Sequence, residues 1–287
     1  MSDYTTVMTD AEFNRIYRFL KTRYGIDMSR KKEIMNGRMD NFLRSSEWNS
    51  YTEFMDAMDQ DVSGSLEKKL VNMLTTNHTF FMRESEHFDY LKQEVLPWIR
   101  QREQRSKDVR IWCGASSTGE EPYAIAMVLA EFFGLEFDDW DTQVLATDIS
   151  TNVLQQAMRG VYSSEQVNAL PEAWKRRFFR ALPDGEQYRA TDELKKEVLF
   201  RKFNLMDEFP FRKQMHVIFL RNVMIYFDKE TKKQLIQKVY DVMEPGGYLF
   251  IGRTETIDRC SVPFELIQPS IFRKQEGRDR LCARYEY

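Results

Sequence analysis

The sequence predicts an α/β protein built on a parallel sheet, preceded by a small all-helical domain. Three observations carry this. Residues 9–75 place apolar side chains at helical spacing and hold no strand-like β-branched run. From Val109 to Ile251, short apolar runs alternate with helical segments, the pattern of βαβ units. A length of 287 residues also suits about two domains.

The elements follow in order. Thr9 and Glu12 have capping-box spacing, Phe13, Ile16, Tyr17 and Leu20 then share one face, and Gly25 stops the helix. Ser29 is placed to cap a second helix over Arg30–Arg44, with Ile34, Met35, Met39, Phe42 and Leu43 as its apolar stripe. Tyr51–Met58 and Leu66–Leu74 continue the helical pattern. Residues 76–90 read as an aromatic-rich linker. Val109–Cys113, Val144–Ala146, Val217–Leu220 and Tyr248–Ile251 read as strands. Pro122–Phe133, Asn152–Arg159 and Lys229–Met243 read as the helices between them, and Glu244-Pro245-Gly246-Gly247 is a helix-stop turn. Phe264–Arg273 and Leu281–Tyr285 are expected to form a final antiparallel pair. Residues 161–203, around the turn Leu182-Pro183-Asp184-Gly185, read as an inserted β-hairpin subdomain.

Composition excludes several classes. Lys plus Arg total 42 against 45 Asp plus Glu, and a pI near 5.8 disfavours a generic nucleic-acid binder. The net of −3 hides a split. Arg15–Arg44 carries nine basic residues against three acids, whereas Ser45–Glu67 carries six acids and no base. No run approaches a transmembrane length, and residues 1–13 lack a signal-peptide core. Cys113, Cys260 and Cys282 form no CxxC pair, and the three histidines have no HExxH spacing. A cytoplasmic protein without a metal site is expected.

Four runs carry chemistry. Cys113-Gly114-Ala115-Ser116-Ser117-Thr118-Gly119-Glu120-Glu121-Pro122-Tyr123 is a small-residue turn between a strand and a helix, neither GxGxxG nor Walker A. It is either a tight turn or a place where backbone meets ligand. Asp148 ends the next strand, as a ribose acceptor or as a helix N-cap. Arg221-Asn222-Val223-Met224-Ile225-Tyr226-Phe227 follows a buried strand, and its phenol either packs or acts. Asn77-His78-Thr79-Phe80-Phe81-Met82-Arg83-Glu84 sits where the two domains meet.

Together these runs resemble the CheR family, the chemotaxis-receptor glutamate O-methyltransferases that use S-adenosylmethionine. The resemblance spans about Thr9 to Arg273. It implies a Rossmann-like methyltransferase sheet over residues 91–287, a helical receptor-docking domain over 1–75, and a linker, 76–90, that contributes to the active site. By resemblance, Asn77, Thr79 and Arg83 line the cofactor's methionine end and the methyl-transfer site. Gly114 and Ala115 pass beside the cofactor, Glu121 hydrogen-bonds it, and Asp148 takes the ribose hydroxyls. Asn204 and Leu205 meet the adenine, Arg221 and Asn222 close the pocket, and Tyr226 faces the reacting groups. Arg83 and Tyr226 are the expected catalytic pair. Met82 replaces a family Phe, and Gly252-Arg253-Thr254-Glu255 stands where many members have Gly-His-Ser-Glu, so no role passes to Arg253.

The expected partner is the cytoplasmic helical domain of chemotaxis receptors. Arg30, Gly37, Asn41 and Arg44 would fall within roughly 60° on one helix face, with Arg38 at its edge. This is either a docking stripe for an acidic helix or a solvated face. Two other readings compete: a methyltransferase of small molecules or nucleic acid, and a cofactor-sensing module without catalysis. The nucleic-acid enzymes' Asp/Asn-Pro-Pro-Tyr signature is absent.

Overall fold

The computed structural model describes residues 7–258 and 262–276, so the expected strand Leu281–Tyr285 lies outside the described residues. The chain divides into two compact units, Met1–Thr76 with Tyr226–Thr231, and Asn77–Ile225 with Lys232–Tyr287.

The first unit holds α1 (Asp10–Tyr24), α2 (Lys32–Arg44), α3 (Tyr51–Gln60) and α4 (Ser65–Leu74). The capping box forms: the Thr9 hydroxyl accepts from the Glu12 N–H, and the Glu12 carboxylate accepts from the Thr9 N–H. Gly25 ends α1 at φ 70°, a left-handed conformation that favours glycine. Phe13, Ile16, Leu20 and Tyr24 are the buried face of α1.

The second helix differs from expectation. The Ser29 N–H donates to Asp27 Oδ1, which holds residues 27–30 as a turn, so α2 begins only at Lys32 and no side chain caps it. Met35, Met39 and Leu43 are buried, but Ile34 is 51% exposed. Arg30 therefore lies before the helix, and of the expected stripe only Gly37, Asn41 and Arg44 lie on α2. Arg38 has a structural task instead. Its guanidinium donates to Leu74 O at 2.8 Å, Thr75 O at 3.2 Å and Thr76 Oγ1 at 2.8 Å. Leu74 O is a carbonyl at the C-terminus of α4, beyond the reach of any further intrahelical N–H. Arg44 pairs with Asp40 one turn back, at 2.9 Å. Residues 226–231 join this unit through an Ile26–Phe227 bridge and an Asp27 N–H bond to Tyr226 O.

The second unit opens with α5 (Glu86–Tyr90) and α6 (Leu96–Arg102), joined by a π-helical turn at Leu91–Val95; helix over this stretch was not expected from the sequence. There follow β1 (Ile111–Gly114), α7 (Glu120–Phe133), β2 (Val144–Asp148), α8 (Thr151–Arg159), β3 (Val161–Ser163), α9 (Ser164–Asn168), α10 (Glu172–Phe178), β4 (Phe179–Ala181), β5 (Gln187–Ala190) and α11 (Asp192–Lys196). The chain closes with β6 (Val198–Lys202), β7 (Met215–Leu220), α12 (Lys229–Asp241), β8 (Met243–Ile251), β9 (Phe264–Gln268) and β10 (Ile271–Lys274).

One sheet has the order β6-β2-β1-β7-β8-β10-β9, its first five strands parallel and β10 antiparallel to both neighbours. Every residue of β1 and β7 is buried, as expected for strands covered on both faces. The Phe219 and Phe250 rings stack at 4.4 Å between β7 and β8. A separate three-stranded antiparallel sheet has the order β3-β5-β4.

Three strand expectations need correction. The inserted β subdomain stops before β6, because Val198–Lys202 pairs in parallel with β2 at the edge of the main sheet. Phe264–Arg273 is not one strand but a hairpin, β9 and β10, turning at Ser270 with φ 65°. Glu244–Gly247 lies within β8, where the pairing register shifts. Gly247 suits that irregularity, since a Cβ there would sit 2.9 Å from the Glu244 and His216 carbonyl oxygens. Among the described residues, no helix is long and apolar enough to cross a membrane.

Arg38→Ala should destabilise the helical unit by about 1–2 kcal/mol, because it removes the charged donor to Leu74 O at the end of α4. Urea unfolding of the intact chain measures this, and cofactor affinity should not change.

Candidate active site

In open parallel sheets, ligands bind beyond the strand carboxyl ends where strand order reverses. Here that place is β1, with β2 and β6 on one side and β7 and β8 on the other. Gly114 ends β1 in a crowded spot, since a Cβ there would lie 3.1 Å from Leu220 Cδ1 and 3.3 Å from the Trp112 ring. The turn after it is strained: Ala115 has φ 65° and Ser117 φ 49°. Left-handed backbone costs an L-residue roughly 1–2 kcal/mol and persists only where the surroundings impose it. They do so here. The Ser116 N–H donates to Thr147 O at 2.8 Å, the Ser117 N–H to Asp148 Oδ2 at 2.9 Å, and Ser117 Oγ to Asn77 O at 2.8 Å.

Asp148 is buried, and its second oxygen accepts from the Ser150 N–H at 2.9 Å. Ser150, rather than Asp148, is the N-cap of α8. Burial pushes the Asp148 carboxyl above its ordinary value, against the opposing pull of the backbone N–H groups.

At the end of β7, Arg221 is clamped. Its guanidinium donates to the Glu121 carboxylate and to Arg83 O, and lies 3.3 Å from Glu84 Oε2. Its side chain is 1% exposed, and its charge faces the Phe88 ring at 5.7 Å. Glu121 also accepts from the buried Cys113 thiol at 3.0 Å. Asn222, at φ 56°, donates its N–H to Glu255 Oε2 at 2.8 Å. Glu255 also accepts from the Gly252 N–H at 2.7 Å and the Ile225 N–H at 3.2 Å, which ties the segments after β7 and β8 together. Burial raises the Glu255 carboxyl.

Asn204 and Leu205 form a buried turn after β6, and the Phe203 N–H donates to Asp148 O. Thr79 is half-buried within residues 77–84. Arg83 folds onto its own loop, donating to His78 O at 3.0 Å, with the Phe80 ring 5.8 Å away. Tyr226 belongs to the helical unit, where its hydroxyl is 3.5 Å from Thr76 O and Lys31 Nζ lies 5.3 Å from its ring. Thus Gly114, Ala115, Glu121, Asp148, Asn204, Leu205, Arg221 and Asn222 gather at the ends of adjacent strands. Asn77 and Arg83 join them through hydrogen bonds to Ser117 and Arg221.

Sequence reasoning missed Glu84 and Glu255. Both stood in quoted motifs, Arg83-Glu84 and Gly252-Arg253-Thr254-Glu255, and that was the available signal. It also missed His87. Its Nε2 is hydrogen-bonded with Ser270 Oγ at 2.7 Å, and its Nδ1 lies 3.6 Å from Glu84 Oε2. Burial first, then the Arg221 charge, lowers His87 to about 4.

The donor set fits an adenosyl amino acid: carboxylates for hydroxyl and ammonium groups, a guanidinium for a carboxylate, and small residues beside them. Ser116 Oγ and Arg221 Nε are buried at this end without a protein hydrogen-bond partner, as a polar ligand's site requires. Residues 77–272 match the family described as CheR methyltransferase, SAM binding domain, and residues 11–75 its all-alpha domain. The chain belongs to the CheR methyltransferase family. It is accordingly an S-adenosylmethionine-dependent methyltransferase. It is 36% identical over 271 residues to the chemotaxis protein methyltransferase of Borreliella burgdorferi, covering 93% of this chain and 95% of that protein. Chemotaxis protein methyltransferase 2 of Pseudomonas aeruginosa is 35% identical, over 88% of this chain and 89% of its own. The Escherichia coli chemotaxis protein methyltransferase is 32% identical, over 92% and 91%.

His87 yields a pH prediction. Its folded pKa lies below the unfolded value of about 6.5, so its stabilising contribution is complete above that pH and is lost as pH falls toward about 4. The loss should approach about 3 kcal/mol. His87→Gln should flatten the acid limb of the stability curve in this window, measured by urea unfolding from pH 7 to pH 4. His216, also lowered by burial, keeps a residual slope.

Proposed function

We propose that this methyltransferase esterifies glutamate side chains on the cytoplasmic helical domains of chemotaxis receptors, in the cytoplasm, for sensory adaptation. The observation that carries the reading is the match of both parts of the chain, nearly end to end, to chemotaxis protein methyltransferases. The chemistry agrees with it. A glutamate carboxylate, with pKa near 4.3, is already ionised at neutral pH and needs no general base. What it needs is alignment and exclusion of water.

S-adenosylmethionine supplies the methyl group on a sulfonium. Asp148 would hold the ribose hydroxyls, and Asn204 and Leu205 the adenine. Asn77, Thr79 and Arg83 would take the methionine end, with Glu121 as acceptor and Gly114 and Ala115 allowing close backbone approach. Arg221 and Asn222 would close the site. Arg83 would hold the cofactor carboxylate or the substrate acid, and Tyr226 would donate a hydrogen bond that orients the acceptor carboxylate. A preorganised site avoids over-stabilising the acceptor's charge, because the attacking carboxylate and the sulfonium neutralise each other during transfer. Within the helical unit, Arg30 and Arg44 are exposed and suit contact with an acidic helix. Arg38 already serves α4.

The test incubates the protein with methyl-labelled S-adenosylmethionine and receptor cytoplasmic fragments. Label released by base as methanol is expected, and base-stable label would refute ester formation. In the same assay Tyr226→Phe should lower kcat while cofactor affinity holds, and an unchanged kcat would remove Tyr226 from the reaction.

A further inference from the structure

Lys238 lies on α12, outside every motif considered so far. Its ammonium donates to Leu205 O at 2.7 Å and to Asp207 O at 3.0 Å, and sits 4.9 Å from the Phe209 ring centroid. Both carbonyls belong to the turn after β6. That turn also has its own internal bonds. The Asp207 N–H donates to Asn204 O, the Met206 N–H to Asn204 Oδ1, and Asn204 Nδ2 to Asp207 Oδ1 at 3.2 Å. Phe209 in turn packs edge-on against Trp112 of β1 at 5.1 Å, so the ring beside the ammonium is itself held in place.

We propose that Lys238 is a positioning residue for the cofactor's adenosyl end, holding the Asn204–Asp207 turn in its binding conformation from outside the site. This rests on the reading of Asn204 and Leu205 as the adenine side. A lysine is suited to the task, because a charge-assisted donor that reaches two carbonyls restrains a turn lacking regular secondary structure. Burial lowers its pKa, yet the two carbonyls need only its N–H groups. Methionine has similar reach but no donor.

The experiment titrates the full-length chain with S-adenosylhomocysteine by calorimetry and measures steady-state methylation and thermal stability. Lys238→Met should weaken binding and raise the cofactor KM by about tenfold, with kcat at saturation within about twofold of the parent. Lys238→Arg, which keeps the donor, should restore most of the affinity. Asn204→Ala should weaken binding to a similar degree. If Asn204→Ala weakens binding and Lys238→Met does not, the Lys238 role is wrong and the adenine-side reading stands. If Asn204→Ala leaves affinity unchanged, the adenine-side reading fails and takes the Lys238 role with it. A fall in stability with unchanged affinity in Lys238→Met would show a purely structural lysine and overturn the proposal.

Discussion

One buried cation organises the catalytic unit. The Arg221 side chain is 1% exposed and stands between the carboxylates of Glu121 and Glu84, with the Arg83 carbonyl as a third acceptor. A charge taken out of water is tolerated only when it is paired and hydrogen-bonded. The arrangement therefore fixes three stretches of chain that are far apart in sequence: the first turn of α7, the loop 77–84, and the end of β7. Removing one carboxylate leaves the arginine buried beside the other, and removing the arginine leaves two carboxylates facing each other. These three stretches cannot shift independently while this pairing holds.

Asp148 and Glu255 do related work with backbone N–H groups in place of a cation. Asp148 gathers the loops after β1 and β2, and Glu255 those after β7 and β8. Left-handed backbone at Ser117 and Asn222 is held by these carboxylates, and Met82, Glu84 and Ala115 in the neighbouring loops are left-handed as well, without being glycine. Methyl transfer to an ionised carboxylate moves no proton, so rate depends on placement more than on acid–base groups. A site assembled from interlocked carboxylates, an arginine and strained turns is suited to placement.

Local pattern made much of this legible. The capping box at Thr9 and Glu12, the face of Phe13, Ile16 and Leu20, and the alternation of strands and helices are near-neighbour signals, and they gave the fold class. The site motifs were legible because each occupies one contiguous run. What escaped was non-local. Val198-Leu199-Phe200, flanked by charges, looked like part of the inserted hairpin, because its partner β2 lies some fifty residues upstream. Arg38 stood at the edge of a surface stripe, but its partners are carbonyls at the end of another helix. Ser29 has the side chain of an N-cap, yet Asp27 holds its N–H in a turn. The roles of Glu84, Glu255 and His87 depend on contacts across the sheet that no spacing rule encodes.

If the Arg221–Glu121 pair acts on cofactor affinity as a unit, a double-mutant cycle with Arg221→Met, Glu121→Gln and the combined variant, read as the S-adenosylhomocysteine dissociation constant, gives a coupling of more than about 1 kcal/mol, with the second substitution costing far less than the first. Effects that add to within about 0.5 kcal/mol would show that the two residues act independently.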